Sequence, residues 1–199
     1  MRPRRPGFAA AVHPERFVRV AETGAIISRM TSRQRCYVAS PLGFTEGGWQ
    51  YYRGVYLPAL SEVVDTVDPW RDAPDEWDPA ASPLALAAGE DDRRAVGLEI
   101  GRRNARDIER CPWLVAYLEG QEPDAGTVVE VGYAAGLGKT CFALRSDARE
   151  SGEPGMRLSL QVEAIIVSTG GAVYGTLAEL LSGLRANLPA PRSDLSAAS

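Results

Sequence analysis

The chain has 199 residues, 45% hydrophobic and 24% charged, which is enough for one globular domain with a real core and too short to expect two. Its formal net charge of -4, with no basic stripe in the part that patterns as folded, argues against nucleic acid or a membrane surface as partner. No apolar run approaches the ~18 residues of a membrane span, and the one histidine, His13, lies in the N-terminal extension. A Ser-His or Cys-His couple is thereby excluded unless that extension folds back, which leaves carboxylates, tyrosines and backbone dipoles to carry any chemistry.

In chain order, residues 1–29 read as a loosely ordered leader, too soon broken by His13, Pro14 and Glu15 to be a signal peptide. The domain is expected over 30–188, with Met30 as a possible functional start, and a flexible Pro, Ser and Ala-rich tail over 189–199. CYVAS at 36–40 reads as a buried parallel strand ending at the turn formers of PLGFTEGG. Trp49, Tyr52, Tyr56, Leu60 and Val63 then recur at helical spacing, with a kink expected at Pro58. VDTVDPW at 64–70 reads as a second strand. Residues 71–92, with seven acids against Arg71 and three prolines, break every period and are expected to be a functional or a disordered loop.

A helix is expected from about 93 to 110, carrying Val96, Ile100, Asn104 and Ile108 on one face. WLVAYLEG at 113–120, TCFALRSD at 140–147 and AVY at 172–174 supply three further strands. Helices are expected at 158–167 and over TLAELLSGLRANL. Strands alternating with helices predict an α/β domain, a parallel sheet covered on both faces, with a ligand beyond the carboxyl ends of its strands. Cys36, Cys111 and Cys141 show neither metal spacing nor an even disulfide framework and read as buried reduced thiols of a cytoplasmic protein.

The stretch PDAGTVVEVGYAAGLGK at 123–139 concentrates the chemistry. Pro123, Asp124 and Gly126 form a turn, Thr127 is the expected N-cap, and Val128, Val131, Ala135 and Val129, Gly132, Gly136 fall at helical spacings suited to packing on a sheet. Glu130 is the one charge inside the helix. Placed in the first turn, it would be held ionised by free N–H groups and the dipole, as an anionic nucleophile or simply as a complement to that dipole, and on this segment alone the second role is the commoner.

Taken together, YVASPLGF at 37–44, DPW at 68–70, Asn104 with Ile108, PDAGTVVEVGYAAGLGK, RSDAR at 145–149 and LSLQVE through STGG at 158–171 resemble the nucleoside 2-deoxyribosyltransferase family over about 36–188. The resemblance implies a single flavodoxin-like (Rossmann-like) domain with a five-stranded parallel sheet. It implies base exchange on 2-deoxyribonucleosides, with Glu130 capturing the sugar covalently and the Tyr37 hydroxyl holding that nucleophile. Asp124 would bind a sugar hydroxyl and Asn104 would face the base, which an Asn can hydrogen-bond but cannot protonate. Phe44 and Trp70 would wall the base pocket, and Ser40 and Gly126, on the converging loops, complete the substrate-binding set on that side.

No metal or redox cofactor is implied, and the partners are deoxynucleosides, free bases and further copies of the chain. Ser159 and Gln161 align with the segment by which relatives reach a neighbour's site, although relatives that use free nucleosides often carry Asn where this chain has Ser159. A Ser there also resembles the deoxynucleotide N-hydrolases, whose hydroxyls bind a 5′-phosphate, but Asp124 would repel a phosphate. Hydrolysis of deoxynucleosides or their 5′-monophosphates is therefore the alternative activity. A non-catalytic nucleotide-binding module is a further one.

Overall fold

A computed structural model describes residues 33–189 except 152. The leader at 1–29 and the tail beyond Pro189 lie outside the described residues. Five strands, β1 (Arg35–Ala39), β2 (Asp65–Val67), β3 (Trp113–Tyr117), β4 (Thr140–Leu144) and β5 (Val173–Tyr174), form one sheet in the order β2-β1-β3-β4-β5. Every pairing is parallel, with Tyr37 beside Val67 on one side and Leu114 on the other.

Because side chains alternate across a strand, β1 sends Cys36 and Val38 to one face and Tyr37 and Ala39 to the other, and both faces are buried. The first face packs on Trp49, Tyr52, Tyr56 and Leu60, and on Leu180 and Leu184 of the closing helix α7 (Leu177–Asn187). The second packs on Ile108 of α4 (Glu90–Glu109), Val131 and Ala134 of α5 (Ala125–Gly136) and Ile166 of α6 (Leu160–Ser168). Each fully buried Leu, Ile or Val among them contributes ~1.5–3 kcal/mol of transfer free energy. All three cysteines are free and buried, and burial raises each thiol pKa, to about 11 for Cys111 and Cys141.

The aromatic stripe from Trp49 to Val63 is buried as its spacing predicts, but the irregularity expected at Pro58 falls just before it. Helix α1 (Glu46–Tyr51) passes through a π-helical turn, Tyr52–Tyr56, into α2 (Leu57–Ser61), and Leu57 N donates to Tyr52 O five residues back. Pro58 has no N–H and its ring crowds the carbonyl four residues earlier; widening the preceding turn relieves both. Residues 71–92 are not structureless: a 3₁₀ turn, Pro79–Ala81, and a short helix α3 (Pro83–Leu86) follow one another, and α4 begins at Glu90, with Glu90, Asp91 and Asp92 all in its first turn.

In helix α5 the N-cap is Asp124, not Thr127: the Asp124 carboxylate accepts from Thr127 N at 2.7 Å and from Thr127 Oγ1 at 2.9 Å. An Asp three residues before a free N–H caps as well as a Thr and here wins the position. Glu130 consequently sits in the second turn rather than the first. Of the two expected packing sets, Val131 is buried and Val128 and Ala135 are half-buried against the sheet, whereas Val129, Gly132 and Gly136 face outward.

Candidate active site

In a 2-1-3-4-5 sheet the strand order reverses between β1 and β3, and the loops leaving those two strands part there. A cavity of about 500 Å³ opens at this point, lined by Ser40 and Phe44 after β1, Trp70 after β2, Asn104 on α4, and Asp124 and Glu130 around the start of α5. Glu130 meets Tyr37, whose hydroxyl donates to Glu130 Oε1 at 2.7 Å. Asn104 Nδ2 donates to the same oxygen at a long 3.5 Å, while Asn104 Oδ1 is buried without a partner.

The electrostatics differ from the expectation for a first-turn carboxylate. Burial pushes the Glu130 carboxyl up from its usual 4.5 to about 7; the Tyr37 and Asn104 hydrogen bonds pull it down, and the nearby Asp124 charge pushes it up further. One turn deeper in the helix, Glu130 is past the free N–H groups that would have held it ionised. Burial and the Glu130 charge also raise the Tyr37 hydroxyl well above the ordinary tyrosine value, so it remains a donor.

The walls are set by the DPW turn. Asp68 Oδ1 accepts from Tyr52 Oη at 2.6 Å and from Trp70 N at 2.8 Å, which fixes the turn to the core. Trp70 then lies over Gly43, where a Cβ would come within 2.5 Å of the indole, so only glycine admits this approach. The ring meets Phe44 edge-on, 5.0 Å between centroids, and its Nε1 donates to Ser40 O at 3.3 Å. Ser40 Oγ accepts from Leu42 N and holds the loop after β1. Phe44 itself is 66% exposed at the mouth.

The long acidic segment is folded over the cavity and tied down at four points, the first being Arg71, whose Nη1 donates to Asp107 Oδ2 on α4 at 2.7 Å. Trp49 Nε1 donates to Asp75 O at 3.0 Å, Arg53 pairs with the Asp75 carboxylate, and Arg103 Nη1 donates to Asp72 Oδ2 at 2.6 Å. Arg103 Nη2 also donates to Pro69 O at 2.9 Å, so this one guanidinium joins α4, the DPW turn and the lid. Sequence reasoning missed Arg103, Trp49, Trp77 and Leu84 as lining residues. Two signals were available: Arg103 precedes Asn104 on the helix, and the segment is too long for a passive connection.

Of the expected residues, Tyr37, Ser40, Phe44, Trp70, Asn104, Asp124, Gly126 and Glu130 thus come together. Ser159 and Gln161 do not. Ser159 is the residue before α6, whose side chain makes no capping bond, and Gln161 is exposed on that helix, away from the cavity of its own chain.

A parallel five-stranded sheet with a half-buried, tyrosine-bound carboxylate in a cleft at its switch point defines an α/β protein built to bind a small molecule beside an acid. The sequence profile of the nucleoside 2-deoxyribosyltransferase family matches residues 36–177, and the chain belongs to that family. No curated protein sequence matches it. Among solved structures, it is similar to a 2-deoxyribosyltransferase from Leishmania mexicana at 22% identity and TM-score 0.55, covering 77% of this chain and 98% of that one. It is also similar to a conserved protein from Enterococcus faecalis V583, at 22% identity and TM-score 0.55, covering 79% and 100%. A 2-deoxyribosyltransferase from Bacillus psychrosaccharolyticus matches at 16% identity and TM-score 0.56, covering 78% and 96%. At these identities the likeness speaks for the shared fold.

Proposed function

We propose that the protein transfers the 2-deoxyribosyl group between nucleobases through a covalent glycosyl-enzyme intermediate on Glu130. The observation that carries this reading is the 2.7 Å bond from Tyr37 to a half-buried Glu130 inside the cavity. Cleaving an N-glycosidic bond builds positive charge on the sugar, so a fixed carboxylate beneath C1′ stabilises the transition state and then bonds to the sugar. The bond from C1′ to the base nitrogen breaks, its electron pair leaves with the base, and the base takes up a proton from solvent or a bound group. A second base then attacks C1′ and Glu130 is released.

Tyr37 orients the carboxylate through one oxygen and leaves Oε2 for attack. Asp124, both of whose bonds from Thr127 go to Oδ2, keeps Oδ1 for a sugar hydroxyl. Asn104 Oδ1, buried and unpaired, is an acceptor that a base N–H would satisfy, relieving a cost of ~1–3 kcal/mol. Phe44 and Trp70 supply apolar faces for the base, and Ser40 and Gly126 shape the loops that hold them.

A second reading is hydrolysis, favoured by the exposure of Phe44 at the mouth, which in a single chain leaves the sugar open to water. Incubating the protein with deoxyinosine, with and without adenine, separates the two. Transfer predicts deoxyadenosine only when adenine is present, whereas hydrolysis predicts hypoxanthine at one rate regardless. Asp124 as an anion near the sugar also predicts that deoxyadenosine outcompetes its monophosphate, and a preference for the monophosphate would move the assignment to a nucleotide hydrolase.

A further inference from the structure

The cavity is longer than the chemistry at Glu130 requires. Asn104 stands beside Glu130, and the pocket then follows α4 away from the carboxylate to Ile100 and on to Leu84, whose Cδ2 lies 3.5 Å from the place a Cβ at Gly97 would take. At 1.5 Å of rise per residue, Ile100 is ~6 Å and Gly97 ~10 Å along the helix from Asn104. A purine attached to a sugar at Glu130 would lie along the first part of this path, between Asn104 and Trp70, with its remote edge facing Ile100. Beyond that edge the lining changes to Trp77, Ala81, Pro83 and Leu84, none of them charged.

Most of the charged residues that line the pocket near this outer compartment are acidic. Asp72, Glu76 and Asp78 line the pocket nearby, and the cation among its lining residues, Arg103, is already bound to Asp72 Oδ2 and Pro69 O. Unlike the wall residues Phe44 and Trp70, the outer compartment is built entirely by the lid and the facing turns of α4.

We propose that this compartment accepts a bulky, neutral, apolar substituent on the edge of the base remote from the sugar, so that the preferred substrates are purines substituted at the exocyclic position rather than the plain bases. The inference rests on the reading of Glu130 as the sugar-binding carboxylate. An uncharged group of ring size fills the space between Leu84, Ala81 and Trp77 and removes their surface from water, while an anionic group meets the lid carboxylates with no unpaired cation among the described lining residues to receive it.

The test offers adenine and N6-benzyladenine together as acceptors, with deoxyinosine as donor. The benzylated product is expected to exceed deoxyadenosine by ~10-fold in kcat/KM, the range one well-placed apolar group yields. Ala81→Trp, which fills the compartment, is expected to remove that preference, and N6-(4-carboxybenzyl)adenine is expected to show none. Equal use of the two acceptors, or a preference that survives both Ala81→Trp and the added carboxylate, overturns the proposal. If no transfer occurs at all, the assignment of function fails, and the compartment is then read by titrating the free bases against tryptophan fluorescence: a ~10-fold lower Kd for N6-benzyladenine than for adenine upholds it, and equal Kd values overturn it.

Discussion

At the residue scale, Glu130 is a carboxylate held where it is uncomfortable. A folded-state pKa of about 7 against the usual 4.5 means the folded protein binds the proton more tightly than the unfolded chain does. Its contribution is therefore most favourable below the unfolded value and is lost as pH rises toward and through 7. Replacing it by Gln, which can still accept from Tyr37, should stabilise the fold at pH 8 relative to the parent by about 2–4 kcal/mol, read from Tm, while abolishing exchange. Because the nucleophile must be ionised, kcat/KM should fall on the acid side with an apparent pKa near 7. Tyr37→Phe removes a bond that pulls this value down, so that limb should move to higher pH and the rate should drop. A limb that stays in place would mean that Tyr37 does not bear on the ionisation of Glu130.

The pKa of Glu130 also shows where residue-level reading of the sequence stops. The motif placed the carboxylate correctly beside Asp124, and the resemblance paired it with Tyr37, yet the expected stabilisation by the helix start did not follow. Whether Asp124 or Thr127 caps the helix changes the depth of Glu130 by most of a turn, and both are good capping residues. Burial, which dominates the shift, is a tertiary property that a local pattern does not carry.

At the scale of elements, the parallel sheet and its order of strands and helices were legible because each strand is a short apolar run and each helix has a periodic face. The lid was not, since no hydrophobic period runs through 71–89; its order comes from contacts made far along the chain, by Trp49, Arg53, Arg103 and Asp107. Arg103 joins the lid to both α4 and the DPW turn. Arg103→Ala should loosen the lid by removing its Arg103 ties to α4 and the DPW turn while the Arg71–Asp107 pair remains, raising KM for the base by about threefold to tenfold, since the Asp72 side of the pair is exposed and screened. Asp72→Asn should raise it less. Steady-state kinetics with a free-base acceptor checks both, and an unchanged KM in Arg103→Ala would remove the lid from the account of base binding.

At the scale of the whole molecule, α5 and α6 turn apolar side chains outward side by side: Val129 and Tyr133 on the one, Leu160, Ile165 and Val167 on the other. A single domain gains nothing from leaving such a surface in water, and a symmetric contact would cover it. The resemblance puts Gln161 of one copy at the open mouth of another, and we propose that this contact is how it gets there. Light scattering should therefore report at least a dimer. Gln161→Ala should raise the ratio of hydrolysis to transfer, because a poorly covered glycosyl-enzyme loses its sugar to water. A fully active monomer would contradict this arrangement. Among the described residues no helix is long and apolar enough to cross a membrane.

The most direct measurement of the central claim is to trap the intermediate. A 2-fluoro-2-deoxyarabinosyl purine slows release of the sugar more than its capture, and digestion followed by mass spectrometry locates the adduct. The account predicts one modified peptide with the sugar on Glu130, no adduct in Glu130→Gln, and release of the trapped sugar when a free base is added. An adduct on any other residue, or an unmodified protein that still exchanges bases, would contradict it.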